Sequence, residues 1–176
     1  MVMRDESLML PPELVEAHAI GFDYRDGDGV DFEPYDSFLT VGETVHWWRA
    51  WTGNKTQDAP GFRVFGQDGT GGLAAFWLIR RGEPLRQQPV VFLGSEGEIS
   101  VVACDLAAYL WLLAQGFGPY EASTYPQHEH DPQPVDRLLQ IAQRYAPSAQ
   151  QTPADIVGAA RAEFPEFVAL IDSASR

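Results

Sequence analysis

Between Phe62 and Gly116 the chain alternates short apolar runs with turn signals, and no other feature constrains its fold as tightly. The runs are Phe62–Phe65, Leu73–Ile79, Pro89–Leu93 and Ile99–Cys104, rich in the β-branched and aromatic side chains that suit a pleated, partly buried surface. Between them lie GQDGTGG, RRGEPLRQQ and GSEGE, built from residues that tolerate positive φ or preset a bend. At Asp105 the period changes. Leu106, Tyr109, Leu110 and Leu113 fall on one helical face through about Gln115, and Gly116 is placed to end the helix. None of the connections before Asp105 is long enough for a parallel crossover. The pattern therefore predicts an antiparallel meander followed by a helix lying across one face of the sheet. The fold class is α+β.

Flanking segments read as helices and loops. Pro11-Pro12-Glu13 opens a short helix through about Ile20, with proline in its first turn and an acid near its N-terminus. A Gly- and Asp-rich connection follows from Phe22 to Asp36, with a small extended piece expected at Val30–Phe32. Thr40 and Glu43 match a capping box, and Val45, Trp48 and Trp51, flanked by Trp47, give an aromatic helix face ending near Gly53. After the meander a Pro- and His-containing loop is expected over Phe117–Pro134. Helices are then expected over Val135–Tyr145, from Thr152-Pro153 to Ala162, and from beyond Pro165 to about Ser173. The chain shows no internal repeat, and its 176 residues read as one domain with a C-terminal helical tail.

Charge narrows the function. The net charge is −13, unevenly spread: ten acids against two Arg through Asp36, six against six over residues 37–104, nine against four thereafter. Acidic flanks disfavour nucleic-acid binding, which rests on clustered Lys and Arg; they would steer a basic protein partner or simply keep the chain soluble. No apolar run reaches the ~18 residues of a membrane span, and no basic stretch leads into a long apolar one at the N-terminus. With one cysteine, Cys104, no internal disulfide is possible, and a cytoplasmic, reducing compartment is expected.

Motifs that resemble chemistry fail on context. Gly69–Ala74 fits GxGxxA, but a strand rather than a helix follows, so a hairpin turn is the better account. Gly94-Ser95-Glu96-Gly97 has Leu93 where a nucleophile elbow needs glycine, and it joins two strands. The loop bearing Asp23, Asp26, Asp28, Asp31 and Glu33 misses the calcium register, because Tyr24 and Tyr35 fall on ligand positions. A solvated loop or a docking surface for a basic partner fits it better. His128-Glu129-His130-Asp131 offers imidazoles and carboxylates, but zinc needs further rigid ligands, and His18 and His46 are remote. Trp47 and Trp48 are adjacent and cannot share a direction, so one of them is expected at an edge or interface. No catalytic constellation and no cofactor site emerge.

Three segments in order, VFGQDGTGGLAAFWL, PVVFLGSEGE and VVACDLAAYLWLLAQG, resemble the SUKH superfamily, the Smi/Knr type of domain. The upstream FEPYDSFLTVGETVHWWRAWTGN resembles an N-terminal region of its bacterial members, so the likeness covers about residues 32–116. Within it Asp68, Gly69 and Gly71 match one hairpin turn and Glu96 and Gly97 the second, all architectural. The resemblance implies an α+β domain with a mostly antiparallel sheet and packed helices. It also implies a non-enzymatic binding function: a bacterial immunity protein that neutralises a cognate toxin, often a nuclease, or a regulator acting through protein contacts. A metal-dependent enzyme using the His128–Asp131 loop is the remaining alternative. The expected docking residues are Asp23, Asp26, Asp28, Asp31 and Glu33, with Trp47 or Trp48 as an apolar anchor.

Overall fold

A computed structural model describes residues 8–124 and 132–175. Its centre is a five-stranded sheet in sequence order, every neighbouring pair antiparallel: β1 Glu33–Pro34, β2 Phe62–Gln67, β3 Leu73–Trp77, β4 Val90–Leu93 and β5 Ile99–Ala103. Seven α-helices accompany it among the described residues: α1 Pro12–Ala19, α2 Val41–Thr52, α3 Leu106–Ala114, α4 Pro119–Thr124, α5 Asp136–Tyr145, α6 Pro153–Glu163 and α7 Phe167–Ala174. The fold is α+β with an antiparallel meander, as the turn spacing predicts.

Alternation along the strands sends side chains into two separate cores. Phe65, Ala74, Phe76, Val90 and Phe92 face α1, α3 and α5, whereas Phe62, Val64, Leu73, Ala75, Trp77, Val91 and Leu93 face α2, α6 and α7. Both faces are therefore covered, and β3 is buried along its whole length. α3 is apolar nearly all round, because α5 closes over its outer side and Trp111 Nε1 donates to Ala146 O at 2.8 Å. The C-terminal helices are no appendage: Phe164, Phe167 and Ile171 complete the second core against Trp77 and Val101.

Local signals hold where the chemistry is local. Glu43 N donates to Thr40 Oγ1 at 3.1 Å and Thr40 N to Glu43 Oε2 at 2.8 Å, so the capping box forms, and Gly53 ends α2 in the left-handed region. Three expectations change. The extended piece lies at Glu33–Pro34 rather than Val30–Phe32, because Val30 and Phe32 turn into the first core. Strand β3 stops at Trp77, where Ile79 N bonds back to Trp77 O at 2.8 Å, leaving Leu78 and Ile79 exposed. The expected loop after Phe117 contains α4, which packs on β4, β5 and α6.

Candidate functional site

The pairing of β3 with β4, Leu73 opposite Leu93, brings the β2–β3 and β4–β5 turns side by side at one end of the sheet. Asp68 orders the first turn, its buried Oδ1 accepting from Thr70 N at 3.0 Å, Thr70 Oγ1 at 2.9 Å and Gly72 N at 2.8 Å. Gly71 and Gly97 take φ of 93° and 102°, the positive values that the turn signals anticipate. Ser95 Oγ donates to Thr70 Oγ1 at 2.7 Å, linking the two turns. Ser95 thus serves a turn-to-turn contact rather than a base. Glu96 beside it is exposed.

On one flank of these turns sits the acidic loop. It closes on itself, Val30 N donating to Asp23 O and Gly29 N to Tyr24 O, both at 2.9 Å, with Arg25 and Asp26 at positive φ. Asp23 Oδ1 accepts from Arg25 N at 3.0 Å. Asp23, Asp26, Asp28 and Glu33 are exposed, and Glu33 Oε2 takes a hydrogen bond from Gln67 Nε2 at 3.1 Å. Asp31 differs. Half-buried, it accepts from Gly69 N at 2.8 Å and so ties the loop to the first hairpin turn.

Beneath Asp31 lies a residue that the sequence does not single out. Glu121 of α4 is 2 % exposed; its Oε1 accepts from Asp31 N at 2.7 Å and its Oε2 from Gly118 N at 3.1 Å. Burial pushes its carboxyl up to about 7, with the Asp31 charge adding to the rise and the backbone N–H groups opposing it. The available signal was Gly118-Pro119 followed by Glu121, the same proline-then-acid order that marks α1.

On the other flank, Trp51 Nε1 donates to Gly94 O at 3.0 Å, and Trp47 stacks on Trp51 with ring centroids 5.0 Å apart. Trp48 is fully buried against Phe62, which corrects its candidacy as a docking anchor; Trp47, half-buried at the rim, keeps it. The acidic loop packs through Phe22, Val30 and Phe32 on one core and Trp47 on the other. The two flanks therefore sit on opposite faces of the sheet, joined by the two turns.

The four ion pairs among the described residues are Arg49–Asp58, Arg80–Glu163, Arg86–Glu13 and Arg144–Glu16, and none involves an acid of this rim. Of the rim carboxylates, Asp23 and Asp31 accept from backbone N–H groups and Glu33 from the Gln67 amide, and none has an ion-pair partner among the described residues. His128 to Asp131 lie outside the described residues. Among those described, no group of three or more His, Cys, Asp or Glu is placed to hold a metal. His18 is enclosed by Phe22, Phe32 and Phe65, and burial lowers it to about 4. Burial and the nearby Glu163 carboxylate push the Cys104 thiol up to about 12, which favours its protonated form. No described helix is long and apolar enough to cross a membrane. No family model, curated protein or solved structure matches this chain.

Proposed function

We propose that the protein is a non-enzymatic cytoplasmic binding module that docks a basic protein on the acidic rim of its sheet. The reading favoured within that class is an immunity protein that occludes the active site of a cognate toxin, in keeping with the resemblance of residues 32–116 to SUKH-type domains. A nuclease engages phosphate with Lys and Arg, and carboxylates compete for the same side chains. The observation that carries the reading is the absence of any cationic partner for Asp23, Asp26, Asp28, Asp31, Glu33 and Glu96 among the described residues. Every described carboxylate with an ion-pair partner lies elsewhere. Trp47 supplies an apolar contact of the kind that anchors interfaces.

The test is capture of the partner from the cells that encode this chain, followed by a salt titration of its binding. The variant D23N/D26N/D28N/E33Q removes four exposed charges and spares Asp31, whose carboxylate holds the hairpin turn. Loss of affinity by tenfold or more, in ~0.1 M salt, with a shallower salt dependence supports docking through the rim. Unchanged affinity and unchanged salt dependence sink it. A captured partner without toxic activity would point instead to a regulatory or scaffold role on the same surface.

A further inference from the structure

The acidic loop is fastened to the body of the protein at Asp31, and both of that residue's fastenings are polar. Its carboxylate takes the Gly69 N–H, and its own N–H goes to the buried Glu121 carboxyl. The second oxygen of Glu121 takes the Gly118 N–H, so one side chain joins the loop to the segment that starts α4. The packing leaves no slack: a Cβ on Gly118 would meet Val30 Cγ1 at 2.5 Å and Glu121 Oε2 at 2.7 Å.

The groups facing this carboxyl are few. The loop presents Asp31, and α3 presents the Tyr109 hydroxyl, which is buried without a hydrogen-bond partner among the described residues. β4 and β5 carry no titratable side chain. α6 offers Arg161, but its guanidinium is engaged at 3.0 Å by Ser100 Oγ and Ser123 O. Burial, the largest influence, together with Asp31 and the lack of a cation favours the protonated acid; the N–H groups of Asp31, Gly118 and Glu121 itself favour the ionised carboxylate.

We propose that Glu121 is a proton-controlled clasp, closed over the acidic loop when protonated and easier to open when ionised, so that proton uptake regulates the docking surface. The inference rests on the docking reading for its consequence, though not for its test. Opening hydrates the carboxyl and returns it to the ordinary range. Between the ordinary value of 4.5 and about 7, the closed form keeps a proton that the open form releases. Closure is therefore strongest below that window and weakens as pH rises through it, by about tenfold per pH unit.

Native-state hydrogen exchange of the Asp31 and Gly118 amides in the free, full-length protein reads this directly, after correction for intrinsic exchange. The opening constant should climb about tenfold per unit toward pH ~7 and then level, and in E121Q it should be flat. If E121Q does not fold, the side-chain carboxyl resonance of Glu121 in the unaltered chain gives its titration midpoint. A flat profile in the unaltered chain, an equal slope in E121Q, or a midpoint in the ordinary carboxylate range overturns the clasp. None of these requires a partner, and D23N/D26N/D28N/E33Q leaves Glu121 in place. Failure of the clasp and failure of docking are thereby told apart.

Discussion

The two faces of the sheet bury very different matter. On the side of α1, α3, α4 and α5 the apolar core encloses an imidazole, a carboxyl and a phenol: His18, Glu121 and Tyr109. On the side of α2, α6 and α7 the core is aromatic and aliphatic, with Trp48, Phe62, Trp77, Phe167 and Ile171, and no carboxylate or imidazole is buried there among the described residues. Its buried polar groups are neutral: Thr52 Oγ1 donates to Trp48 O at 2.8 Å and Asn54 Nδ2 to Ala174 O at 3.3 Å, while Trp48 Nε1 has no hydrogen-bond partner among the described residues. One sheet thus carries a face that buries an imidazole and a carboxyl in its core and a face whose shifted titratable groups, Cys104 and Glu163 among them, stay only partly buried. The acidic loop belongs to the first and Trp47 to the second.

The largest effect is expected on the aromatic face. Trp48 is 0 % exposed and sits between α2 and β2, so W48A leaves a void that the packed strands cannot close. A loss of about 3–5 kcal/mol is expected by urea unfolding. If the faces differ as described, that loss is the same at mildly acidic and mildly alkaline pH. A loss that varied with pH would join the two cores into one electrostatic unit and break the comparison.

His18 should give the next largest effect, and only in acid. It is 9 % exposed, neither ring nitrogen has a partner, and burial lowers it from 6.5 to about 4. The unfolded chain binds the proton first, so the neutral folded form loses stability as pH falls below 6.5. The loss is complete once pH passes about 4. A span of about 2.5 units at about 1.4 kcal/mol each gives roughly 3–4 kcal/mol. H18F should remove this acid limb and leave stability near neutrality little changed or improved, since two unsatisfied buried atoms disappear. An unaltered acid limb in H18F would move the pH response elsewhere.

What the sequence made legible divides along the same line. Period-two runs and Gly-rich turns specify the meander, and the Thr40–Glu43 pair specifies the start of α2, because each acts over a few residues. The sequence also marks the acidic loop as a surface feature and places at least one of Trp47 and Trp48 at an edge. It does not reveal that Asp31 and Glu121, ninety positions apart, meet beneath the loop, since that pairing exists only after α4 packs on the sheet. Helical spacing puts Trp48 on the aromatic face of α2 with Trp47 flanking it, without telling which of them reaches the rim. Their fates separate only when α2 lays one indole on β2 and the other on Trp51.

A smaller effect sharpens how the aromatic face is held. The capping box of α2 is exposed, and its loss disturbs no core packing. T40A should cost about 1 kcal/mol. That cost should add to other changes on the opposite face, because the sites share no partner. Coupling between T40A and H18F, read in a double-mutant cycle, would show that the sheet transmits strain between its faces.

The smallest effect on stability is expected where charge is densest. Asp23, Asp26 and Asp28 are exposed on a loop whose shape comes from backbone bonds at its neck and from the anchoring of Asp31. Of the three, only Asp23 has a local bond, to Arg25 N at 3.0 Å. Charge removal at such sites loses no packing and relieves repulsion within the acidic N-terminal third, so D23N/D26N/D28N should shift stability by no more than ~0.5 kcal/mol. The opposing changes in Asp31 are larger. D31A would take the acceptor from Gly69 N and the like charge from beside Glu121, so its urea midpoint should fall and the titration of Glu121 should move down. Near-neutral stability with weakened partner binding in the triple variant identifies these charges as a surface kept for contact. A clear loss of stability would instead make the loop part of the fold on the pH-responsive face.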